Sequence, residues 1–198
     1  NIGNLAFNGK TIVTNVTVGS AVTNIGANAF AGCKNLTNVT MGAAILNIGD
    51  SAFNGCLKLP AIHIPASVVS LGNNVFQNCY ALADVSLGPY VLSIGNNAFY
   101  YCYSLTNIIL ASSVQNLGDH ALYYCTALMN VSLGSITNLA DQTFYNCTNL
   151  TQIQIPHTVT SIGSEVFYSC THLTNVDIGS AVASIGDYCF QASGLTSV

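Results

Sequence analysis

The stretch IGNNAFYYCYSLTNIILASSVQN, Ile94 to Asn116, is one copy of a unit that recurs through the 198-residue chain. Ile94 has counterparts at Ile2, Ile25, Ile48, Leu71, Leu117, Leu139, Ile162 and Ile185, a spacing of 23 residues that shortens once to 22. A fixed period of this length marks a solenoid, in which each turn buries its apolar row against its two neighbours. Within the unit the apolar slots are Ala98, Phe99, Cys102, Leu105, Ile108, Leu110 and Val114. Ile108-x-Leu110 alternates with the period of a half-buried strand. The pattern predicts parallel strands at 36–41, 59–64, 82–87, 105–110, 128–133, 150–155 and 173–178, roughly 4.8 Å apart. The inward row is then Phe30, Phe53, Phe76, Phe99, Leu122, Phe144, Phe167 and Phe190.

The return segment starts at Gly95, where a side chain would resist the bend. The next slot reads Asn4, Ala27, Asp50, Asn73, Asn96, Asp119, Asp141, Ser164 and Asp187. Most of these are helix N-cap residues, whose short side-chain oxygens accept from free backbone N–H groups. The run after each, such as Ser51 to Cys56, therefore reads as one short helical turn.

The core I-G-[DN]-x-A-F-x-x-C-x-x-L-x-x-V stands here as Ile48, Gly49, Asp50, Ala52, Phe53, Cys56, Leu59 and Ile62. It resembles the 23-residue leucine-rich repeat called BspA-like or Treponema-type, and the resemblance covers essentially the whole chain. It implies an α/β solenoid: a curved, right-handed leucine-rich repeat with a concave parallel sheet and short helical turns on the convex side. One domain is expected over 1–198, with about eight repeats of 22–23 residues and a shortened last turn. The chain stops inside its repeat grammar at both ends, as a segment of a longer protein would. Ser113 occupies the place of the Asn found after the strand in the commonest leucine-rich repeats, so their Asn ladder is not expected.

Composition narrows the function classes. The chain is 51% hydrophobic and only 5% charged, with net charge −4 and three Lys as its only Lys/Arg bases. That balance argues against a nucleic-acid or anionic-membrane partner. No apolar run approaches the roughly 20 residues of a membrane span. Nothing in the sequence assembles a catalytic constellation, a phosphate loop or a zinc site, so neither enzyme nor cofactor is expected.

Seven of the eight cysteines share one slot: Cys33, Cys56, Cys79, Cys102, Cys125, Cys147 and Cys170. The slot is apolar and inward, and a free thiol packs as a small hydrophobe. A buried thiol ladder is the favoured reading, with rung-to-rung disulfides as the alternative. Asn-x-Ser/Thr occurs at Asn15, Asn35, Asn38, Asn130, Asn146 and Asn149, which would carry glycans if the chain passed through a eukaryotic secretory pathway.

Two surfaces are candidates for function. The outward strand residues form the first: Asn38, Thr40, His63, Asp84, Ser86, Asn107, Ile109, Met129, Asn130, Gln152, Gln154 and Asn175. Such residues vary without disturbing packing, so a binding surface can be written there. The second is a stripe of Tyr100, Tyr101, Tyr123, Tyr124, Tyr145 and Tyr168, either a shield for the turn beneath or an aromatic interface. The resemblance implies a cell-surface or secreted adhesion module that binds protein or glycan partners, host and extracellular-matrix molecules among them. The alternative is a structural repeat that self-associates through its solenoid ends into fibres or a surface layer.

Overall fold

The structure, a computed structural model, describes residues 1–196; Val198, where the expected domain ends, lies outside them. The chain winds through short strands of two kinds that alternate along it. In order these are β1 (Asn15–Thr17), β2 (Asn24–Ile25), β3 (Asn38–Thr40), β4 (Asn47–Ile48), β5 (Ala61–His63), β6 (Ser70–Leu71), β7 (Asp84–Ser86) and β8 (Ser93–Ile94). They continue with β9 (Asn107–Ile109), β10 (Asn116–Leu117), β11 (Asn130–Ser132), β12 (Asn138–Leu139), β13 (Gln152–Gln154), β14 (Ser161–Ile162), β15 (Asn175–Asp177) and β16 (Ser184–Ile185). All pairing is parallel and one turn apart, as in Val16↔Val39 and Ile108↔Val131.

Apart from β1, which precedes the first expected segment, the odd-numbered strands lie in the segments expected to be extended, but each keeps only three of the six residues. The first expected residue belongs to a turn instead: the Leu105 N–H closes onto the Cys102 carbonyl at 3.1 Å. These strands pair in twos, β1–β3, β5–β7, β9–β11 and β13–β15. Between β3 and β5 the cause is Pro60, which has no N–H to donate. At the equivalent slot Thr37 and Ala83 donate to the preceding turn, both at 2.8 Å.

The even-numbered strands form a second sheet that the sequence reading did not anticipate. Its order is β10-β8-β6-β4-β2, then a break, then β12-β14-β16. The break coincides with Ala140, which stands where the neighbouring turns have Gly118 and Gly163. A Cβ on Gly118 would lie 2.3 Å from Asn96 Oδ1 and 2.5 Å from Asn96 N, so these backbones stack only without one. Gly118 and Gly163 donate to the turn before them at 3.0 and 2.8 Å, and Ala140 makes no such bond.

The expected helical turns are absent: among the described residues there is no helix. In their place are chains of tight turns with two left-handed residues per repeat, here Asn97 (φ 55) and Tyr101 (φ 62). Alternate peptide planes are thereby flipped. The N–H groups of Asn97, Phe99 and Tyr101 donate to carbonyls of the next turn at 2.8–2.9 Å. Those of Tyr100 and Cys102 donate three residues back, to Asn97 and Phe99. A helix would keep every one of these bonds within its own segment. The Asx slot is corrected with it. Asp50, Asn73, Asn96 and Asp141 cap no helix; each Oδ1 accepts from the equivalent backbone N–H one turn later, at 2.7–3.0 Å. The series breaks at Asp119, beside Ala140.

The core follows the predicted rows. Phe30, Phe53, Phe76, Phe99, Leu122, Phe144 and Phe167 are buried, and Phe190 is partly buried. Neighbouring rings stack at 5.2–5.6 Å except where Leu122 interrupts the column. Such offset stacks add about 0.5–1.5 kcal/mol per pair to the burial itself. All eight cysteines are free and buried.

Candidate functional site

The odd-numbered strands turn their central residue inward and both flanking residues outward, because successive side chains of a strand point to opposite faces. The central residue is buried in five of them and half-buried in β1, β11 and β15. All twelve strand-face candidates are exposed. They stand in register at one-turn intervals and bond along the rows. Asn130 Nδ2 donates to Asn107 Oδ1 at 2.7 Å, and His63 Nδ1 lies 3.2 Å from Ser86 Oγ. Two apolar side chains interrupt this polar grid on adjacent turns: Ile109 is 71% exposed and Met129 47%. Open depressions lie where the ladder is unpaired. One, between β7 and β9, is lined by Asp84, Ser86, Pro89, Asn107 and Ile109. Another, between β11 and β13, is lined by Met129, Asn130, Gln152, Gln154 and Asn175.

The six tyrosines of the stripe lie together on the turn-built face. Tyr100, Tyr123, Tyr145 and Tyr168 form one column with centroids 4.6–4.8 Å apart and interplanar angles of 3–16°. Their faces cover one another, so the column presents ring edges and hydroxyls rather than an open platform. Burial, then the neighbouring phenol of Tyr145, pushes Tyr123 up to about 12. Burial followed by contact with Tyr101 raises Tyr100 as well. These phenols stay protonated donors at neutral pH. In earlier turns the same row carries Asn8, Ala31, Asn54 and Gln77, and Asn54 Nδ2 donates to Gln77 Oε1 at 2.9 Å.

Sequence reasoning missed two exposed features. Tyr80 extends the tyrosine group through Tyr103, at 5.2 Å. Leu46, Val69 and Leu92, one turn apart, make an apolar row at 40–47% exposure. Their common 23-residue spacing was the available signal for the row. Of the sequon asparagines, Asn15, Asn38, Asn130 and Asn149 are exposed, whereas Asn35 and Asn146 are half-buried. Asn35 Nδ2 is already engaged by the Thr11 carbonyl at 2.9 Å.

These stacked turns and in-register strands define a leucine-rich-repeat solenoid. The BspA type leucine rich repeat region matches in six copies over residues 1–129 and 92–198, and the chain belongs to that family. No curated protein matches it. Among solved structures it is similar to a leucine rich cell surface protein of Faecalibacterium prausnitzii A2-165, with 25% identity and TM-score 0.55. That match covers 93% of this chain and 62% of the Faecalibacterium chain, so this chain spans less than two thirds of its relative. A leucine-rich repeat protein of Eubacterium ventriosum shares the fold at TM-score 0.63 and 17% identity, over 99% of this chain and 81% of that one. The pneumococcal vaccine antigen PcpA shares it at TM-score 0.63 and 17% identity, over 90% and 48%. These matches are to repeat proteins and indicate no enzyme family.

Proposed function

We propose that this chain is a non-catalytic recognition module of a cell-surface or secreted protein, binding a protein or glycan through its strand face. The observation that carries the reading is a grid of exposed polar side chains, interrupted by Ile109 on β9 and by Met129 just before β11, on strands whose intervening residues are buried or half-buried. Its chemistry can change without loss of the core, which is what a recognition surface needs. Hydroxyls and amides at one-turn spacing suit many neutral hydrogen bonds, and the scarcity of charge gives no steering for an ionic partner. The surface location is supported by the relatives, one described as a cell surface protein and another as a vaccine antigen.

The test is a binding screen of the chain on a glycan array and on immobilised extracellular-matrix proteins, with light scattering on the same sample. Saturable binding by a monodisperse protein supports the reading. Filaments without binding would replace it with the structural alternative.

A further inference from the structure

Eight of the ten tyrosines form one connected group, and its geometry is unequal along its length. From Tyr168 the rings run to Tyr145 at 4.8 Å, to Tyr123 at 4.7 Å and to Tyr100 at 4.6 Å. The path then turns through Tyr101, 4.3 Å from Tyr100, and reaches Tyr103 at 5.5 Å. It ends on Tyr80, 5.2 Å from Tyr103. No step exceeds 5.5 Å, so an electron vacancy created on one phenol can pass along the group to another.

The two ends differ in what a radical can do there. In the column the rings lie flush, within 16° of parallel, and are half-buried, which holds them face to face. Tyr80 and Tyr103 are tilted by 40° and are 42% and 39% exposed. Two exposed rings at that angle can swing edge to edge, the arrangement in which their ortho carbons meet. They sit on adjacent turns. The cysteines, which would otherwise compete for an oxidant, are buried throughout.

We propose that the tyrosine group is a site of oxidative cross-linking, in which a one-electron oxidant such as a haem peroxidase with hydrogen peroxide joins Tyr80 to Tyr103 as dityrosine. Each phenol loses one electron to the oxidant and its hydroxyl proton to water. The two phenoxyl radicals form a carbon–carbon bond between ortho ring positions. Each displaced ortho hydrogen then transfers to oxygen and restores the phenol. Two hydrogen atoms leave the protein, and one hydrogen peroxide becomes two waters. The product is a covalent cross-link between two consecutive turns that closes the loop of chain from Tyr80 to Tyr103. Tyr100 and Tyr101 collect oxidising equivalents from the column and deliver them to the exposed pair.

The experiment treats the intact chain with horseradish peroxidase and hydrogen peroxide at low protein concentration, and reads dityrosine fluorescence and peptide mass. The expected product is a monomer lighter by two hydrogens, with one bridged peptide containing Tyr80 and Tyr103. Tyr103→Phe should remove that bridge. Tyr101→Phe, which leaves the pair intact but interrupts the path, should lower its yield several-fold. Tyr90→Phe, outside the group, should change nothing. Circular dichroism of each variant shows that the fold is kept. Bridges found only between molecules or at Tyr90 or Tyr188 would overturn the proposal, as would a yield unaffected by Tyr103→Phe.

Discussion

The thiol of Cys102 donates to the carbonyl oxygen of Phe76, one turn earlier, at 3.3 Å. The same bond recurs from Cys56 to Phe30 and from Cys170 to Phe144, so the ladder joins the turns as well as filling space. A thiol reagent should label few of these positions until denaturant is added. Rapid labelling of the native protein would contradict their burial.

The same burial sets an alkaline limit. Desolvation pushes the Cys189 thiol up to about 11 and that of Cys170 up to about 12, from an ordinary value of 9.0. In Cys170 the backbone bond from Cys147 opposes this shift. Below pH 9 both folded and unfolded thiols are protonated and stability does not depend on them. Above it the unfolded chain loses protons that the folded chain keeps, so stability falls as pH rises, by about 1.4 kcal/mol per pH unit for each fully buried thiol. Denaturant midpoints measured from pH 7 to pH 11 should stay level and then decline above about 9. A rising midpoint would show that the thiols ionise in the fold.

Phe99 is fully buried and stacks on Phe76 at 5.6 Å. Phe99→Ala should lower the unfolding free energy by about 3–5 kcal/mol, because the rigid turns on either side cannot close the cavity. A loss under 1 kcal/mol in urea unfolding would mean that the turns collapse readily.

Hydrogen exchange should find the one discontinuity of the second sheet. The Ala140 amide, which has no partner one turn back, should exchange well ahead of Gly118 and Gly163, which do. Gly118→Ala should destabilise by about 1–3 kcal/mol, since the added Cβ meets the backbone of Asn96. Equal protection at all three amides would remove Ala140 as the cause of the break.

The phenylalanine, cysteine and strand rows were legible because burial selects residue type slot by slot, and nine copies of each slot can be compared. The turn-built face was misread for a physical reason. Asp50-Ser51-Ala52-Phe53 has the composition of a helix start, and what makes it a turn is the sign of φ at Ser51, φ 55. A trace was present: the slot of Gly9, Gly32 and Gly55 passes to Asn78, all residues that tolerate the left-handed region. The second sheet, with two residues per strand, left no alternation to detect. Tyr80 was overlooked because it belongs to a different row from the Tyr100 column and meets the group only through Tyr103.

The central claim is that the strand face recognises the partner. Its most direct test is the affinity of the triple variant Asn107→Ala, Ile109→Ser, Met129→Ser for whichever glycan or matrix protein the intact chain binds. The comparator is Tyr100→Ala with Tyr123→Ala and Tyr145→Ala. The account predicts that the first variant keeps its unfolding midpoint and loses at least tenfold in affinity, about 1.4 kcal/mol or more, while the second keeps its affinity. Unchanged binding in the first and loss in the second would move recognition to the tyrosine face and contradict the account.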